Sequence, residues 1–251
     1  MIRLVLFDAF ATLIKPRRPI ATQYSEIFGP FFVLKEEDIK SSFKTALRGL
    51  QDKKPVYSHV EGVQGWWGEV IRQTALGAGA DPIVVDESLP VIVPQLMARF
   101  SSKEGYELYD DVLPALRELQ RMKIQAGVTS NADSRVRAAL ESLEILHLLK
   151  PCILSEEEGC AKPSSEIWTR SIAKSGIQTV RPREVVHIGD ELKCDYYGAT
   201  AAGLHALLLR RPGLLGAEEW KTPNEDLSGI PIVSHLGDVV TWILKERGSY
   251  A

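Results

Sequence analysis

Ile2-Arg3-Leu4-Val5-Leu6-Phe7-Asp8 opens the chain, and how it is read decides the fold. The run is too short for a helix, and its apolar residues stand on successive rather than alternate positions. That pattern fits a strand covered on both faces, as in a parallel sheet. Runs of the same kind recur at 124–129, 151–154, 185–188 and 205–209. Between and after them lie amphipathic stretches at 112–122, 135–146, 166–175 and 238–247, with apolar residues at helical spacing. Strands alternating with helices predict an α/β fold: a doubly wound parallel sheet, Rossmann-like in its connections.

Residues 15–104 break the alternation. They read as helices at 22–28, 36–51, 64–74 and 86–99 with little strand signal. The expected organisation is therefore a core of residues 1–14 and 105–251, interrupted after the first strand by an all-helical cap at 15–104. Gly77-Ala78-Gly79-Ala80-Asp81-Pro82 is read as a helix–helix turn. Its glycine spacing is no dinucleotide fingerprint, because no strand precedes it. Residues 213–229 are the most loop-like part of the core.

Composition bounds the function. The 251 residues are 45% hydrophobic and 25% charged, which is ordinary for a globular protein. A net charge of −3 speaks against a general nucleic-acid binder, which carries a basic excess to neutralise phosphates. No apolar run is long enough to span a bilayer, and the opening run is too short for a signal-peptide core. Cys152, Cys160 and Cys194 are an odd number with no C-x-x-C pair, read as reduced thiols. A cytoplasmic location, with the nucleus as an option, is the expectation.

In open α/β sheets, ligands bind beyond the carboxyl ends of the strands. The first strand ends in Asp8, with Phe10 two residues on. The second ends in Thr129-Ser130-Asn131, Lys162-Pro163 follows the third, and the fourth ends in Gly189-Asp190 with Asp195 close behind. Singly, each has a plain explanation: Ser130 as a helix N-cap, the aspartates as turn formers, Lys162 as a solvated charge. Their recurrence at one strand end after another points instead to a shared site.

Four segments carry a likeness to a known family. Phe7-Asp8-Ala9-Phe10-Ala11-Thr12-Leu13, Val128-Thr129-Ser130-Asn131, Gly159-Cys160-Ala161-Lys162-Pro163 and the stretch from His187 to Asp195 resemble the four motifs of the haloacid dehalogenase superfamily. The helical insertion falls where that family places its cap. Within it, the Trp66-Trp67 segment and residues 189–198 resemble the eukaryotic haloacid dehalogenase-like hydrolase domain-containing protein 3 group. The resemblance implies a hydrolase in which Asp8 is the nucleophile of a covalent intermediate. It implies Mg²⁺ held by Asp8, the carbonyl of Phe10 and Asp190, with Asp195 bound directly or through water. Ser130, Asn131 and Lys162 would hold the transferring group, with Lys162 neutralising its charge. The substrate would be a small, anionic molecule, and the protein a monomer or homodimer with no nucleic-acid or membrane partner.

The sequence also departs from the pattern. Phosphatases of the family carry a second aspartate two residues after the nucleophile, which protonates the leaving group and then activates water. Phe10 can do neither, and a general acid/base is typically worth about 10²–10⁴ in rate. Ala11 replaces the usual glycine, leaving the backbone less freedom. Asp-Ala-aromatic resembles the family's carbon–halogen hydrolases, whereas Asp190 and Asp195 resemble its metal-dependent branch. Three readings stand: a Mg²⁺-dependent phosphatase-like hydrolase, a dehalogenase-type carbon-centred hydrolase, and a catalytically silent binding or scaffolding protein.

Other residues are read more plainly. Trp66 and Trp67 are adjacent and cannot share one helix face, so at most one points into the cap interior. Lys15, Arg17 and Arg18 are read as a solvated hinge. His59, His147, His187, His205 and His235 show no metal-ligand spacing. His187 is expected to be structural, and Glu156-Glu157-Glu158 a solvated loop.

Overall fold

In the computed structural model the chain is described at residues 1–53, 62–211 and 225–248. His59 and residues 213–224 of the loop-like stretch lie outside these. The elements, in chain order, are β1 (Leu4–Phe7), β2 (Ile14–Pro16), α1 (Ile20–Phe28), α2 (Glu36–Lys53), α3 (Gly62–Gly77) and α4 (Pro82–Arg99). There follow β3 (Tyr106–Leu108), α5 (Val112–Arg121), β4 (Gln125–Ser130), α6 (Arg135–Ser142), β5 (Cys152–Leu154), α7 (Ser155–Glu158) and α8 (Ser165–Lys174). The last are β6 (Val185–Gly189), α9 (Gly198–Ala201), β7 (His205–Leu209), β8 (Ile232–Val233) and α10 (Leu236–Gly248).

Six strands form one sheet in the order β5-β4-β1-β6-β7-β8, and every pairing is parallel. This is the doubly wound α/β sheet expected from the strand pattern. All four residues of β1 are fully buried, which is what its unbroken apolar run required. On one face Leu4 and Leu6 pack with Ile153, Ile167, Trp168 and Val185. Helix α5 buries Val112, Ala115, Leu116 and Leu119, an i, i+3, i+4, i+7 stripe.

The chain divides into two compact units. One is Met1–Lys15, Leu108–Ala132 and Leu143–Ala251; the other is Pro16–Glu107 with Asp133–Ser142. Strands β2 and β3 pair with each other in a two-stranded sheet at two of the four places where the chain passes between units. Those three-residue strands carry no periodicity that sequence could reveal. Helix α6, expected among the core helices, groups with the helical unit, and it ends at Ser142 rather than at 146. The early end follows from Glu144, which takes a left-handed φ of 60° without being glycine or asparagine.

Inside the helical unit, α4 starts earlier than its apolar stripe suggests. Asp81 caps it, accepting from the backbone N–H of Ile83 and Val84 at 2.9 and 3.2 Å, with Pro82 in the first turn. Trp66 is buried, and Trp67 turns to another side of α3. There Trp67 Nε1 donates to Asp133 at 2.8 Å while the Arg135 guanidinium lies 3.9 Å over its ring. Arg17 donates to the Lys103 carbonyl and Arg18 pairs with Glu26, so this hinge is tied rather than loose. The triple-glutamate run forms α7, with Glu158 pairing to Lys174 at 2.6 Å.

Candidate active site

β1 lies between β4 and β6, with Phe7 opposite Val128 on one side and Ile188 on the other. That register places Asp8, Ser130 and Asp190 at neighbouring carboxyl ends, about 4.8 Å apart per strand. The Asp8 backbone N–H donates to the Ile188 carbonyl at 2.8 Å, fixing where the Asp8 side chain departs.

Lys162 reaches the same edge from the loop after α7. Its backbone is clamped by Asn131, whose Nδ2 donates to the Lys162 carbonyl at 2.9 Å and whose Oδ1 accepts from the Lys162 N–H at 2.7 Å. Lys162 Nζ then sits 2.6 Å from Asp8 Oδ1 and 2.6 Å from Asp195 Oδ1. Asn131 was expected to meet the substrate; its side-chain amide is committed to the Lys162 backbone instead.

Asp195 arrives on a π-helical turn, Leu192–Tyr197. The residue is 1% exposed, and its carboxylate takes three donors: Lys162 and His187 Nε2 at 2.6 and 2.8 Å on Oδ1, and the Glu191 N–H at 2.9 Å on Oδ2. Only glycine at 189 permits this, because a Cβ there would stand 2.1 Å from Asp195 Cγ. Among the described residues, Asp8, Asp190 and Asp195 form one group whose ligand-capable oxygens lie within 4.8 Å of one another.

Three carboxylates and one ammonium share this buried notch, and their acidities follow. Burial raises Asp8 above the ordinary carboxylate range, with Lys162 opposing and Asp195 adding to the shift; a Ser130 hydrogen bond also opposes it. Burial would raise Asp195 too, but Lys162 and His187 outweigh it and hold that carboxyl well below. Asp190 is raised well above its usual value by burial and by repulsion from Asp8, Asp195 and Glu191. Burial alone would lower Lys162; the carboxylates of Asp195 and Asp8 overcome it and keep the ammonium charged. The site therefore has a firm cation on one side and an unneutralised acidic group on the other.

Sequence reasoning placed Asp8, Ser130, Lys162, Asp190 and Asp195 at this edge, and all are there. Phe10 follows in a tight loop in which Leu13 and Ile14 N–H groups both donate to the Ala9 carbonyl. Ala11 in that loop has φ 55°, the left-handed conformation that the missing glycine would adopt freely. His187, expected to be structural, meets Asp195, a contact that sequence did not foretell, as it did not foretell those of the adjacent arginines at the end of β7. Arg210 donates to the Asp190 carbonyl, and Arg211 to the Thr12 carbonyl at 2.8 Å while pairing with Asp111 at 2.9 Å. Nothing local marks an arginine as a backbone clamp, since its partners lie far away in sequence.

A family model described as haloacid dehalogenase-like hydrolase matches residues 2–203, a span that takes in all of the carboxylates, Ser130, Asn131 and Lys162. The chain belongs to this family. Among haloacid dehalogenase-like hydrolases, it is similar to haloacid dehalogenase-like hydrolase domain-containing protein 3 of Mus musculus, 28% identical over 238 residues, 93% of this chain and 92% of the mouse protein. In fold it is similar to a dehalogenase crystallised with an intermediate complex, at TM-score 0.69 and 15% identity over 96% of both chains. It is also similar to the HAD phosphatase from Thermococcus onnurineus, at TM-score 0.60 and 17% identity over 97% of this chain and 98% of that one. At such identities the two structures speak for the fold, which this hydrolase shares with both chemistries. Cys160 and Cys194 flank the site without being activated: burial raises both thiols, Cys194 to about 12. No helix among the described residues is long and apolar enough to cross a membrane.

Proposed function

We propose that this hydrolase cleaves a small phosphorylated metabolite through a covalent intermediate on Asp8. The observation that carries the reading is the meeting of Asp8, Asp190 and Asp195 at one notch with Lys162 between two of them. The donor set fits a hard divalent cation. Asp190 is buried among carboxylates that raise it, and oxygen ligands in excess of nearby positive charge are what Mg²⁺ takes. Asp8, Asp190 and the Phe10 carbonyl would hold the ion, with Asp195 as the third carboxylate. When bound it neutralises the negative charge that otherwise repels a phosphate from Asp8.

The chain's own residues do the remainder. An Asp8 oxygen attacks phosphorus as the bond to the leaving oxygen breaks, and water later hydrolyses the acyl phosphate. Lys162 faces Asp8 and offers positive charge to the transferring group, while Ser130 and the N–H groups after it hold its oxygens. Phe10 supplies no proton to the leaving group. Substrates whose leaving group needs none are therefore favoured.

Mg²⁺-dependent turnover of an aryl phosphate, abolished by Asp8→Asn, is the expected result. No turnover above the Asp8→Asn background overturns the reading. Phe10 favours a second reading, carbon-centred hydrolysis in which a halide leaves unprotonated. It predicts metal-independent halide release from a short 2-haloacid, and absence of release across a small panel of such acids removes it.

A further inference from the structure

His187 lies on β6, two residues before Gly189, so both face the same side of the strand. Because Gly189 has no side chain, the Asp195 carboxylate rests on that face and reaches the imidazole: His187 Nε2 is 2.8 Å from Asp195 Oδ1. The same oxygen accepts from Lys162 Nζ. One carboxylate oxygen is thus pinned between a histidine behind it and the lysine in front, and the lysine's other bond is to Asp8.

The imidazole is itself held. It is wholly buried, and the Trp168 indole packs edge-on against it with ring centroids 4.5 Å apart. Among the described residues, His187 Nδ1 has no hydrogen-bond partner. The proton therefore belongs on Nε2: placed on Nδ1, it would be a buried donor without an acceptor and would leave two lone pairs facing each other at Asp195.

We propose that His187 is a positioning residue, which fixes Asp195 through an Nε2–H hydrogen bond so that Asp195 holds Lys162 against Asp8. Trp168 restrains the ring from behind, completing a line of Trp168, His187, Asp195, Lys162 and Asp8. The inference rests on the reading of Asp8 as nucleophile for its kinetic consequence, but not for its geometry.

The test compares His187→Leu, which removes the donor, with His187→Gln, whose amide can still reach Asp195, after thermal melts show both folded. Turnover of an aryl phosphate with Mg²⁺ is expected to fall roughly 10–100-fold in kcat for His187→Leu, with KM nearly unchanged, and to recover largely in His187→Gln. Nitrogen-15 spectra of the wild-type imidazole are expected to show the proton on Nε2. A folded His187→Leu variant with wild-type kcat, or a proton on Nδ1, overturns the proposal. If the wild-type protein turns over no phosphate, the Asp8 reading fails and the geometry decides alone. A crystal structure of His187→Leu with Asp195 turned from Lys162 then upholds the positioning role, and an unmoved Asp195 overturns it.

Discussion

Replacing Gly189 by alanine puts one methyl group where the Asp195 carboxylate already is. The added Cβ would stand 2.1 Å from Asp195 Cγ and 2.3 and 2.6 Å from its two oxygens. Carbon atoms rest at about 3.5–4.0 Å, so the carboxylate must retreat by more than about 1 Å. The hydrogen bonds to Lys162, His187 and the Glu191 N–H, now 2.6, 2.8 and 2.9 Å, would then exceed bonding distance. Each hydrogen bond to a charged group contributes about 1.5–3 kcal/mol. Losing two of the three while Lys162 stays buried destabilises by about 3–5 kcal/mol, the usual range for breaking a buried pair. Position 189 lies outside the left-handed region, so alanine suffers no backbone strain, and its lower unfolded-state entropy offsets only about 0.4–1 kcal/mol. A net loss of about 3 kcal/mol corresponds to a Tm lower by about 6–12 °C. Urea unfolding followed by circular dichroism measures the loss, and Gly49→Ala in α2 is the control. With nothing within 4 Å of its added Cβ, that variant should gain about 0.5–1 kcal/mol. A Gly189→Ala protein within about 1 kcal/mol of wild type would refute the account of how Asp195 is seated.

Phe10→Asp restores a carboxyl two residues after the nucleophile and should raise turnover of alkyl phosphates by roughly 10²–10⁴, with a smaller gain for aryl phosphates. An equal gain for both classes, or none, would show that proton donation is not what the site lacks. Because burial raises Asp8 and Asp190, folded protein without metal holds these protons more tightly than the unfolded chain. Its stability from these two groups therefore declines as pH rises through their folded values. Mg²⁺ binds the deprotonated form, so the Tm increase that it produces should grow as pH rises above the ordinary carboxylate range; a flat or falling response in differential scanning fluorimetry contradicts this. Asp195, already held low, adds nothing in that window. Ala11→Gly releases a left-handed residue, a relief of about 1–2 kcal/mol less the glycine's unfolded-state entropy of about 0.5–1 kcal/mol. The variant should melt at or slightly above wild type, and a lower Tm would mean the methyl group packs usefully.

The amino-acid sequence by itself determined the sheet and the list of acidic residues. Unbroken apolar runs such as Leu4-Val5-Leu6-Phe7 can be satisfied only where both faces are covered, and a parallel sheet gathers its carboxyl ends at one edge. Asp8, Ser130 and Asp190 were legible because each directly follows or ends such a run. Tertiary structure alone decided what those groups do to one another. That Asn131 spends its amide on Lys162, that His187 stands behind Asp195, and that Arg210 and Arg211 clamp carbonyls at positions 190 and 12 all depend on contacts between residues distant in the chain. Local pattern carries no record of such pairs, because periodicity reports which face of an element is apolar and not which partner that face will meet. The end of α6 at Ser142 and the small β2–β3 sheet escaped for a related reason: a left-handed glutamate and two three-residue strands are held by their surroundings rather than by their own preferences.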